Sequence, residues 1–444
     1  MFWSTTTSLF SALVLQSAQA APAPLSTKQL KTSDKVLTLK RTGVKAGSSK
    51  ALLSNHAVTA TTPLVAVENG GGYAVDVDLG SDTFTLIFDT GSSDLWVASE
   101  GVQCVNPKGR HVATAKCGFG PLWSGNFEEG KVAGENFNIS YGDGEFLVGT
   151  LGYEDVSVAG ITVKHQEIAS VTEGYWAGDG VVSGILGFAY SSLTAAYTGN
   201  NPANDNPETN NIHYENWIDN AVDENKIDPL FSVAIERGAN GGGGQVALGG
   251  LPTINFDHHD FASTPLEIHS FTPRHPLEAS NFTYYTIQPD GWVIGGESIS
   301  TNFRAIVDTG TTLAYLPPKY AVAINAAFDP PAVFNQDAGI FEAKCGATPP
   351  DVAITIGGKA FQISAAELLL PKAQGLDPST HLCVRALISS FLCNSPADVM
   401  FEQVTGIQAA AGPPAILGDT FLKNVVAVFD VGASEMRFAP HVNY

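Results

Sequence analysis

Two aspartate residues in matching sequence contexts, Asp89 and Asp308, carry the strongest chemical signal in this chain. Residues 86–97 read Leu-Ile-Phe-Asp-Thr-Gly-Ser-Ser-Asp-Leu-Trp-Val, and residues 305–316 read Ala-Ile-Val-Asp-Thr-Gly-Thr-Thr-Leu-Ala-Tyr-Leu. An apolar run that ends in Asp-Thr-Gly is typical of a buried strand entering a tight turn. One copy would be an ordinary turn, but two copies with matched flanks predict that the two aspartates act together.

The chemistry available to such a pair is that of two carboxyl groups sharing one proton. Two carboxylates held close together cannot both ionise easily, because each charge disfavours the other. One group can then act as a base toward water while the other protonates the carbonyl oxygen of an amide. The pattern therefore predicts direct attack of water on a peptide bond, with no metal, no cofactor and no covalent intermediate.

The residues beside each aspartate suit this task. Gly91 and Gly310 allow tight turns and let backbone amides approach the carboxylates. Four hydroxyl side chains can donate hydrogen bonds that fix the carboxylates in position: Thr90, Ser92, Thr309 and Thr311.

A second internal echo supports a duplicated chain. Gly187 ends an apolar Gly-Ile-Leu-Gly segment 98 residues after Asp89, and Gly418 ends Ala-Ile-Leu-Gly 110 residues after Asp308. Two similar halves, each with one Asp turn and one apolar-apolar-Gly strand, predict a site at the seam between the halves.

The composition favours strands over long helices. The 444 residues suffice for two domains, 44% are apolar, only 15% are charged, and Gly (45) and Pro (25) are plentiful. We expect an all-β protein with short helices at 214–225 and 320–328 and a polar surface loop at 190–211. The predicted strands include residues 73–79, 84–88, 136–141, 146–150, 156–158, 161–163, 245–248, 284–288, 305–307, 354–356 and 425–428.

The charge balance limits the partners. A formal charge of −21, from 44 acidic and 23 basic residues, argues against nucleic acid and against an anionic membrane surface. It also favours work at low pH, because neutralising the carboxylates leaves few basic groups to repel one another.

The N-terminal residues predict secretion. Residues 1–20 contain an apolar core and end Ala-Gln-Ala, as a signal peptide does. Residues 21–60 carry seven basic residues and one acidic residue, which predicts a propeptide at 21–58, docked by charge on the acidic body and released when carboxylates are protonated. A disordered basic tail is the alternative.

The remainder is expected to form two lobes. The strand pattern loosens around residues 252–265, so we assign residues 59–258 to an N-terminal lobe and 259–444 to a C-terminal lobe. No other apolar run reaches the ~18 residues that span a bilayer, so we expect no membrane contact.

Five cysteines fit the secretory route. Proximity suggests Cys104–Cys117, followed by either Cys345–Cys383 or Cys383–Cys393. A metal site is disfavoured, because no Cys-x-x-Cys or paired His-Cys spacing occurs. Asn138 and Asn281 begin N-glycosylation patterns.

These motifs resemble the pepsin-like aspartic proteases, secreted fungal-type members in particular. The two Asp-Thr-Gly segments, Tyr-Gly-Asp-Gly at 141–144, Gly-Ile-Leu-Gly-Phe at 184–188 and Ile-Leu-Gly-Asp-Thr-Phe at 416–421 carry the resemblance, which runs from about residue 64 to the end. Proton sharing by paired carboxyls is itself best known from this family. The resemblance implies a bilobal fold of two pseudo-symmetric, β-barrel-like lobes and a monomeric acid endopeptidase, made as a zymogen, that cleaves proteins and peptides and binds pepstatin-type inhibitors.

The resemblance also implies residue roles. Asp89 and Asp308 would be the catalytic pair, with Ser92 and Thr311 supporting their outer oxygens. Tyr141, hydrogen-bonded to Trp96, would sit on a flap that closes over the substrate. The resemblance also places Gly142 and Asp143 on the flap and implies a Cys345–Cys383 bridge. Ile87, Ile185 and Tyr141 would help line an apolar pocket for the substrate residue before the cut.

Two further residues concern substrate specificity and a departure from the family pattern. Asp143 implies acceptance of Lys beside large apolar residues at the cut. Ser183 stands where many members have Asp, which we expect to be tolerated.

Two alternatives remain. A protein of this fold that binds without cutting would usually lack an aspartate or the flap tyrosine, whereas Asp89, Asp308 and Tyr141 are all present. A vacuolar rather than an extracellular location uses the same secretory route.

Overall fold

Strands make up most of the regular structure that the computed structural model describes. It covers residues 30–39, 72–142, 144–236, 243–268, 282–336, 340–344, 346–371, 402–410 and 414–441. The strands up to residue 248 are β1 Val36–Leu39, β2 Ala74–Leu79, β3 Asp82–Asp89, β4 Leu95–Cys104, β5 Glu135–Ser140, β6 Phe146–Val158, β7 Ile161–Tyr175, β8 Gly184–Gly187, β9 Ala196–Thr198, β10 Asn211–Ile212, β11 Phe231–Ile235 and β12 Gly244–Leu248.

The rest of the described chain continues in the same style. Its strands are β13 Ala262–Pro265, β14 Thr286–Ile287, β15 Gly291–Ile294, β16 Glu297–Ser300, β17 Ala305–Val307, β18 Ala314–Leu316, β19 Val333–Asn335, β20 Ile340–Lys344, β21 Val352–Ile356, β22 Lys359–Ile363, β23 Leu369–Pro371, β24 Glu402–Thr405, β25 Ile407–Ala409, β26 Ala415–Leu417, β27 Val425–Asp430 and β28 Glu435–Pro440. The α-helices are α1 Trp217–Asp223, α2 Pro318–Ala326, α3 Ala365–Leu368 and α4 Asp419–Leu422.

The predicted internal repeat appears as two equivalent strand arrangements. In the first half β8 lies between β3, to which it is parallel, and β4, to which it is antiparallel. In the second half β26 lies in the same way between β17 and β18. These trios sit in a nine-stranded sheet, β10-β9-β5-β6-β2-β3-β8-β4-β7, and a five-stranded sheet, β14-β17-β26-β18-β25.

A six-stranded sheet joins the two halves. Its order is β1-β12-β11-β27-β28-β13, so β11 of the first half pairs directly with β27 of the second. Phe231 and Phe429 stack across this junction with ring centroids 4.5 Å apart, and both are fully buried. Shared strands and a shared aromatic core hold the halves together. Two four-stranded sheets, β16-β15-β21-β22 and β19-β20-β24-β23, complete the fold.

β1 belongs to the segment expected to be a propeptide. It forms the edge of the six-stranded sheet by pairing with β12, Val36 opposite Ala247. The Ser33 hydroxyl donates to the Leu248 carbonyl at 2.5 Å, and Lys35 Nζ donates to the Lys226 carbonyl at 2.7 Å. Residues 36–39 are therefore an edge strand of this sheet, and Ser33 and Lys35 attach the residues before it.

Most predicted elements are present, with shifted ends. Helix α1 is shorter than the predicted 214–225, whereas α2 has the predicted length but begins and ends two residues earlier than 320–328. Asn216 caps α1 by accepting a hydrogen bond from the Asp219 amide at 3.0 Å. The prediction of a surface loop over 190–211 is wrong in part. β9 and β10 join the nine-stranded sheet beside β5, and Ala196 and Tyr197 are buried.

One disulfide connects Cys104 and Cys117, as proximity suggested, with the Cα atoms 5.9 Å apart. Cys345, Cys383 and Cys393 lie outside the described residues. In the described ranges, no helix has both the length and the apolar character needed to cross a bilayer.

Asp94 is a fully buried carboxyl group next to the first Asp-Thr-Gly turn. Its Oδ1 accepts hydrogen bonds from the Tyr214 hydroxyl at 2.6 Å and the Ala195 amide at 3.0 Å. Burial raises the pKa of Asp94 from 3.8 to about 6, although both hydrogen bonds oppose the shift. The folded state therefore holds this proton to a higher pH than the unfolded chain does.

We predict that Asp94→Asn makes stability less dependent on pH. Because the pKa of Asp94 is higher in the folded state, its contribution to the free energy of unfolding falls by about 3 kcal/mol as pH rises from about 4 to about 6. Above about pH 6 this group no longer changes the stability. The amide keeps an acceptor oxygen but cannot titrate. Urea unfolding at pH 4, 5 and 6 should show the smaller loss in Asp94→Asn, whereas the exposed Asp82→Asn should match the wild type. Equal slopes in all three proteins would refute the assignment.

Candidate active site

The two aspartates of the repeated motif meet at the seam of the halves. Asp89 is the last residue of β3, Asp308 directly follows β17, and both are more than nine-tenths buried. A Cβ atom added to Gly310 would lie 2.4 Å from Asp89 Oδ1 and 3.2 Å from Asp308 Oδ1, and one added to Gly91 would lie 2.6 Å from Asp308 Oδ1. Each turn needs its glycine because the opposite carboxylate occupies the space of a side chain.

The hydrogen bonds around the two carboxylates mirror one another. The Gly91 amide donates to Asp89 Oδ1 at 2.7 Å, and the Gly310 amide donates to Asp308 Oδ1 at 2.8 Å. The outer oxygens accept from hydroxyls: Ser92 to Asp89 Oδ2 at 2.5 Å and Thr311 to Asp308 Oδ2 at 2.6 Å. These donors fix the orientation of both carboxylates, with their Oδ1 atoms on the shared side.

Thr90 and Thr309 lock the turns to each other. The Thr90 amide donates to the Thr309 hydroxyl at 3.1 Å, and the Thr309 amide donates to the Thr90 hydroxyl at 3.0 Å. Each hydroxyl in turn donates to a carbonyl of the other half, Thr90 to Val307 and Thr309 to Phe88. All four bonds are buried, so the separation of the aspartates is set by the scaffold.

Gly187 and Gly418, at the ends of the repeated Ile-Leu-Gly segments, let the backbone of the Asp-Thr-Gly turns pass close to strands β8 and β26. A Cβ atom on Gly187 would lie 2.6 Å from the Ser92 carbonyl oxygen, and one on Gly418 would lie 2.1 Å from the Thr311 carbonyl oxygen. Any larger residue at either position would push the adjacent carboxylate turn away.

The electrostatics favour a protonated Asp308. Burial and, next, the neighbouring Asp89 carboxylate raise the pKa of Asp308, while the Thr311 hydroxyl acts in the opposite direction. A pair that holds one proton between two carboxyls has an acid and a base in the same site.

Four residues that the resemblance assigns to substrate binding, Trp96, Tyr141, Ile87 and Ile185, can be placed by their contacts and strand register. The Trp96 indole nitrogen donates to the Tyr141 hydroxyl at 2.7 Å, as the resemblance implies. Ile87 and Ile185 face each other in the parallel β3–β8 register, and Ile185 is buried while Ile87 is half-buried. Trp96 on β4 is the register partner of Ile185, so Ile87, Ile185 and Trp96 occupy neighbouring positions on three adjacent strands.

Several other expected positions can be located. Gly142 is exposed in the connection between β5 and β6, and Asp143 and Asn281 lie outside the described residues. Asn138 Nδ2 donates to Asp205 Oδ2 at 3.0 Å and to the Pro202 carbonyl at 3.2 Å, so a glycan on this nitrogen would replace one N–H and cost at least one of these bonds. Ser183 is buried and donates to the Pro121 carbonyl at 2.6 Å.

Sequence analysis missed an aromatic neighbour of the pocket, Trp176. Its ring lies 5.2 Å from that of Trp96, 6.3 Å from that of Phe119 and 6.4 Å from that of Tyr141. A tryptophan inside the Gly-rich stretch 174–180 was the available signal, since such a residue in a loop suggests a binding surface rather than a strand core.

Asp419 lies next to the second Asp-Thr-Gly turn, a position that its segment Ile-Leu-Gly-Asp-Thr-Phe did not predict. It is fully buried, and its amide donates to the Thr311 carbonyl at 2.8 Å. Burial raises the pKa of Asp419 well above its usual range, with Lys423 opposing and Asp308 adding to the shift.

Comparison with known proteins agrees with this geometry. A family model described as eukaryotic aspartyl protease matches residues 72–441. A probable aspartic-type endopeptidase of Aspergillus fumigatus is 38% identical over 416 residues, covering 92% of this chain and 88% of the relative. Cathepsin E-B of Xenopus laevis is 31% identical over 382 residues (84% and 80%), and rhizopuspepsin of Rhizopus chinensis is 27% identical over 385 residues (86% and 81%).

A solved structure supports the fold. The aspartic proteinase from Irpex lacteus superposes with a TM-score of 0.58 at 21% identity, over 85% of this chain and 96% of that one. The mirrored carboxylate turns are thus accompanied by similarity along nearly the whole chain, and this protein belongs to the eukaryotic aspartyl protease family as an aspartic-type endopeptidase.

Proposed function

We propose that this enzyme hydrolyses peptide bonds in acid with water activated between Asp89 and Asp308. The observation that carries the proposal is the mirrored set of donors, which holds two buried carboxyls with their Oδ1 atoms toward each other. In this assignment Asp308 carries the shared proton, because burial and Asp89 both raise its pKa.

The reaction then needs only these two side chains and water. Asp89 takes a proton from water as the water oxygen bonds to the scissile carbonyl carbon. At the same time Asp308 gives its proton to the carbonyl oxygen. The carbon–nitrogen bond then breaks as Asp89 gives its proton to the amine and a hydroxyl of the tetrahedral diol returns its proton to Asp308. The dyad therefore ends with one proton, as it began. Thr90 and Thr309 contribute by holding the two groups at a constant separation.

Acidic conditions suit the scaffold as well as the dyad. Burial raises the pKa of Asp94, Asp219 and Glu167, so the fold favours their protonated forms. A pocket bordered by Ile87, Ile185 and aromatic rings favours a large apolar residue at the cut. We expect this site to cleave proteins and peptides and to be inhibited by pepstatin.

We propose that Asp89→Asn abolishes hydrolysis. The amide cannot take the proton from water, so kcat should fall by at least ~10³-fold, while pepstatin still binds a folded protein. The measurement is cleavage of denatured haemoglobin or casein at pH 3 to 5, with and without pepstatin, and pepstatin affinity by calorimetry. Asp82→Asn is the matched exposed control. A correctly folded, propeptide-free wild type that cut nothing would favour the binding-only alternative.

Secretion as a zymogen is proposed from the leader and from β1. The Cys104–Cys117 bridge supports passage through an oxidising compartment, extracellular or vacuolar. The described contacts of residues 30–39 are strand pairing, apolar packing and hydrogen bonds. The proposed electrostatic release therefore concerns the basic residues beyond them.

For the zymogen we predict that acid incubation of the secreted protein shortens it to a new N-terminus between residues 55 and 62. Removal of residues 21–58 would free the β12 edge, so the shortened protein should differ in protease susceptibility near residues 244–248. N-terminal sequencing before and after incubation at pH 3 to 4 tests this. An active protein that still begins at Ala21 would contradict it.

Acceptance of Lys at the cut is proposed to depend on Asp143. Asp143→Thr should lower kcat/KM for a Lys peptide about tenfold and leave a Phe peptide within about twofold, since only the Lys side chain needs a negative partner. Matched peptides differing only at that residue provide the measurement. An unchanged Lys-to-Phe ratio would exclude this role.

A further inference from the structure

Glu145 is a buried acidic residue beside the flap that the mechanism above does not use. It lies between the flap glycine Gly144 and the first residue of β6, and only 8% of it is exposed. Its Oε1 accepts a hydrogen bond from the Ala177 amide at 2.7 Å. A buried carboxylate accepting a short bond from a backbone amide makes a strong, directional contact.

The backbone of the same residue holds the flap tyrosine. The Tyr141 amide donates to the Glu145 carbonyl at 2.8 Å. Glu145 therefore binds Tyr141 through its main chain and Ala177 through its side chain. The last regular pair of β6 and β7 is Phe146 opposite Tyr175. Glu145 and Ala177 lie just beyond this pair, so the carboxylate extends the connection past the end of the ladder.

Ala177 belongs to a segment with a firm support of its own. The Gly178 amide donates to the Cys117 carbonyl at 2.9 Å, and the Gly120 amide donates to the Val182 carbonyl at 2.7 Å. Cys117 is tied to β4 by its disulfide to Cys104. Residues 177–182 thus form a fixed platform, which we call the support loop.

The support loop begins directly after Trp176, which contacts the pocket. The Trp176 ring lies 5.2 Å from that of Trp96, which donates to Tyr141, and 6.4 Å from the Tyr141 ring itself. The relative position of Tyr141 and Trp176 is therefore set at two points, by the rings and by Glu145.

We propose that Glu145 is a positioning residue that ties the flap to the support loop, and so holds Tyr141 and Trp176 in the arrangement that receives the apolar substrate residue. This inference rests on the proposed peptidase site and adds a residue outside the dyad. Without the bond, substrate must order the flap as it binds, and that cost reduces affinity. The dyad turns do not contact Glu145 through any described hydrogen bond, so the chemical step should be little affected.

The test compares Glu145→Ala with Glu145→Gln. Ala removes the acceptor, and we expect KM for an apolar peptide and the Kd of pepstatin each to rise about tenfold, with kcat within about threefold of the wild type. The Gln amide oxygen can still accept from the Ala177 amide, so Glu145→Gln should restore KM and Kd to within about threefold. Glu173→Ala, which removes a half-buried carboxylate from the same strand pair, should behave as the wild type in all three.

The outcomes separate the tether from simpler explanations. An inferred tether is wrong if Glu145→Ala keeps wild-type KM and Kd, or if Glu145→Gln is as impaired as Glu145→Ala. It is also wrong if kcat and thermal midpoint fall together in proportion, because that result means general destabilisation. Pepstatin-sensitive cleavage by the wild type and by Glu173→Ala tests the proposed function independently.

Discussion

Two carboxyl groups brought together in a buried seam are the constraint on which the rest of this structure depends. Such a pair is unfavourable unless hydrogen bonds satisfy its oxygens and the scaffold resists the tendency of the groups to separate. The reciprocal bonds of Thr90 and Thr309 supply that resistance, because each hydroxyl accepts from the opposite turn and donates into the opposite half. The pairing of β11 with β27 and the stacking of Phe231 on Phe429 also hold the two halves together in the core.

Burial of acidic groups extends this theme beyond the dyad. Asp94 and Asp419 are fully buried, and burial is the first cause of the raised pKa of each. The fold therefore gains stability when protons are abundant, the same condition in which a shared-proton pair keeps its proton. Catalysis and stability respond to pH through one physical cause, the desolvation of carboxylates.

The substrate side of the site depends on connections that are remote in sequence. The Cys104–Cys117 bridge supports residues 177–182, which meet Glu145, which in turn holds Tyr141. In the inferred arrangement, the disulfide loop restrains the segment that carries Tyr141 through hydrogen bonds that are separate from those holding the two aspartates. In such an arrangement, substitutions at these residues can change substrate affinity without changing the rate of the chemical step.

Local sequence pattern determined the chemistry of this protein. Apolar runs ending in Asp-Thr-Gly specify strand, turn and carboxylate together, and their repetition at Asp89 and Asp308 indicated a duplicated all-β chain with a site at its seam. Only the tertiary structure decided which distant residues complete the site. The roles of Trp176 and Glu145, the incorporation of β9 into a sheet despite its polar surroundings, and the seat of β1 on β12 all depend on long-range pairing. Such contacts are selected by burial and register across the folded molecule, which short-range propensity does not encode.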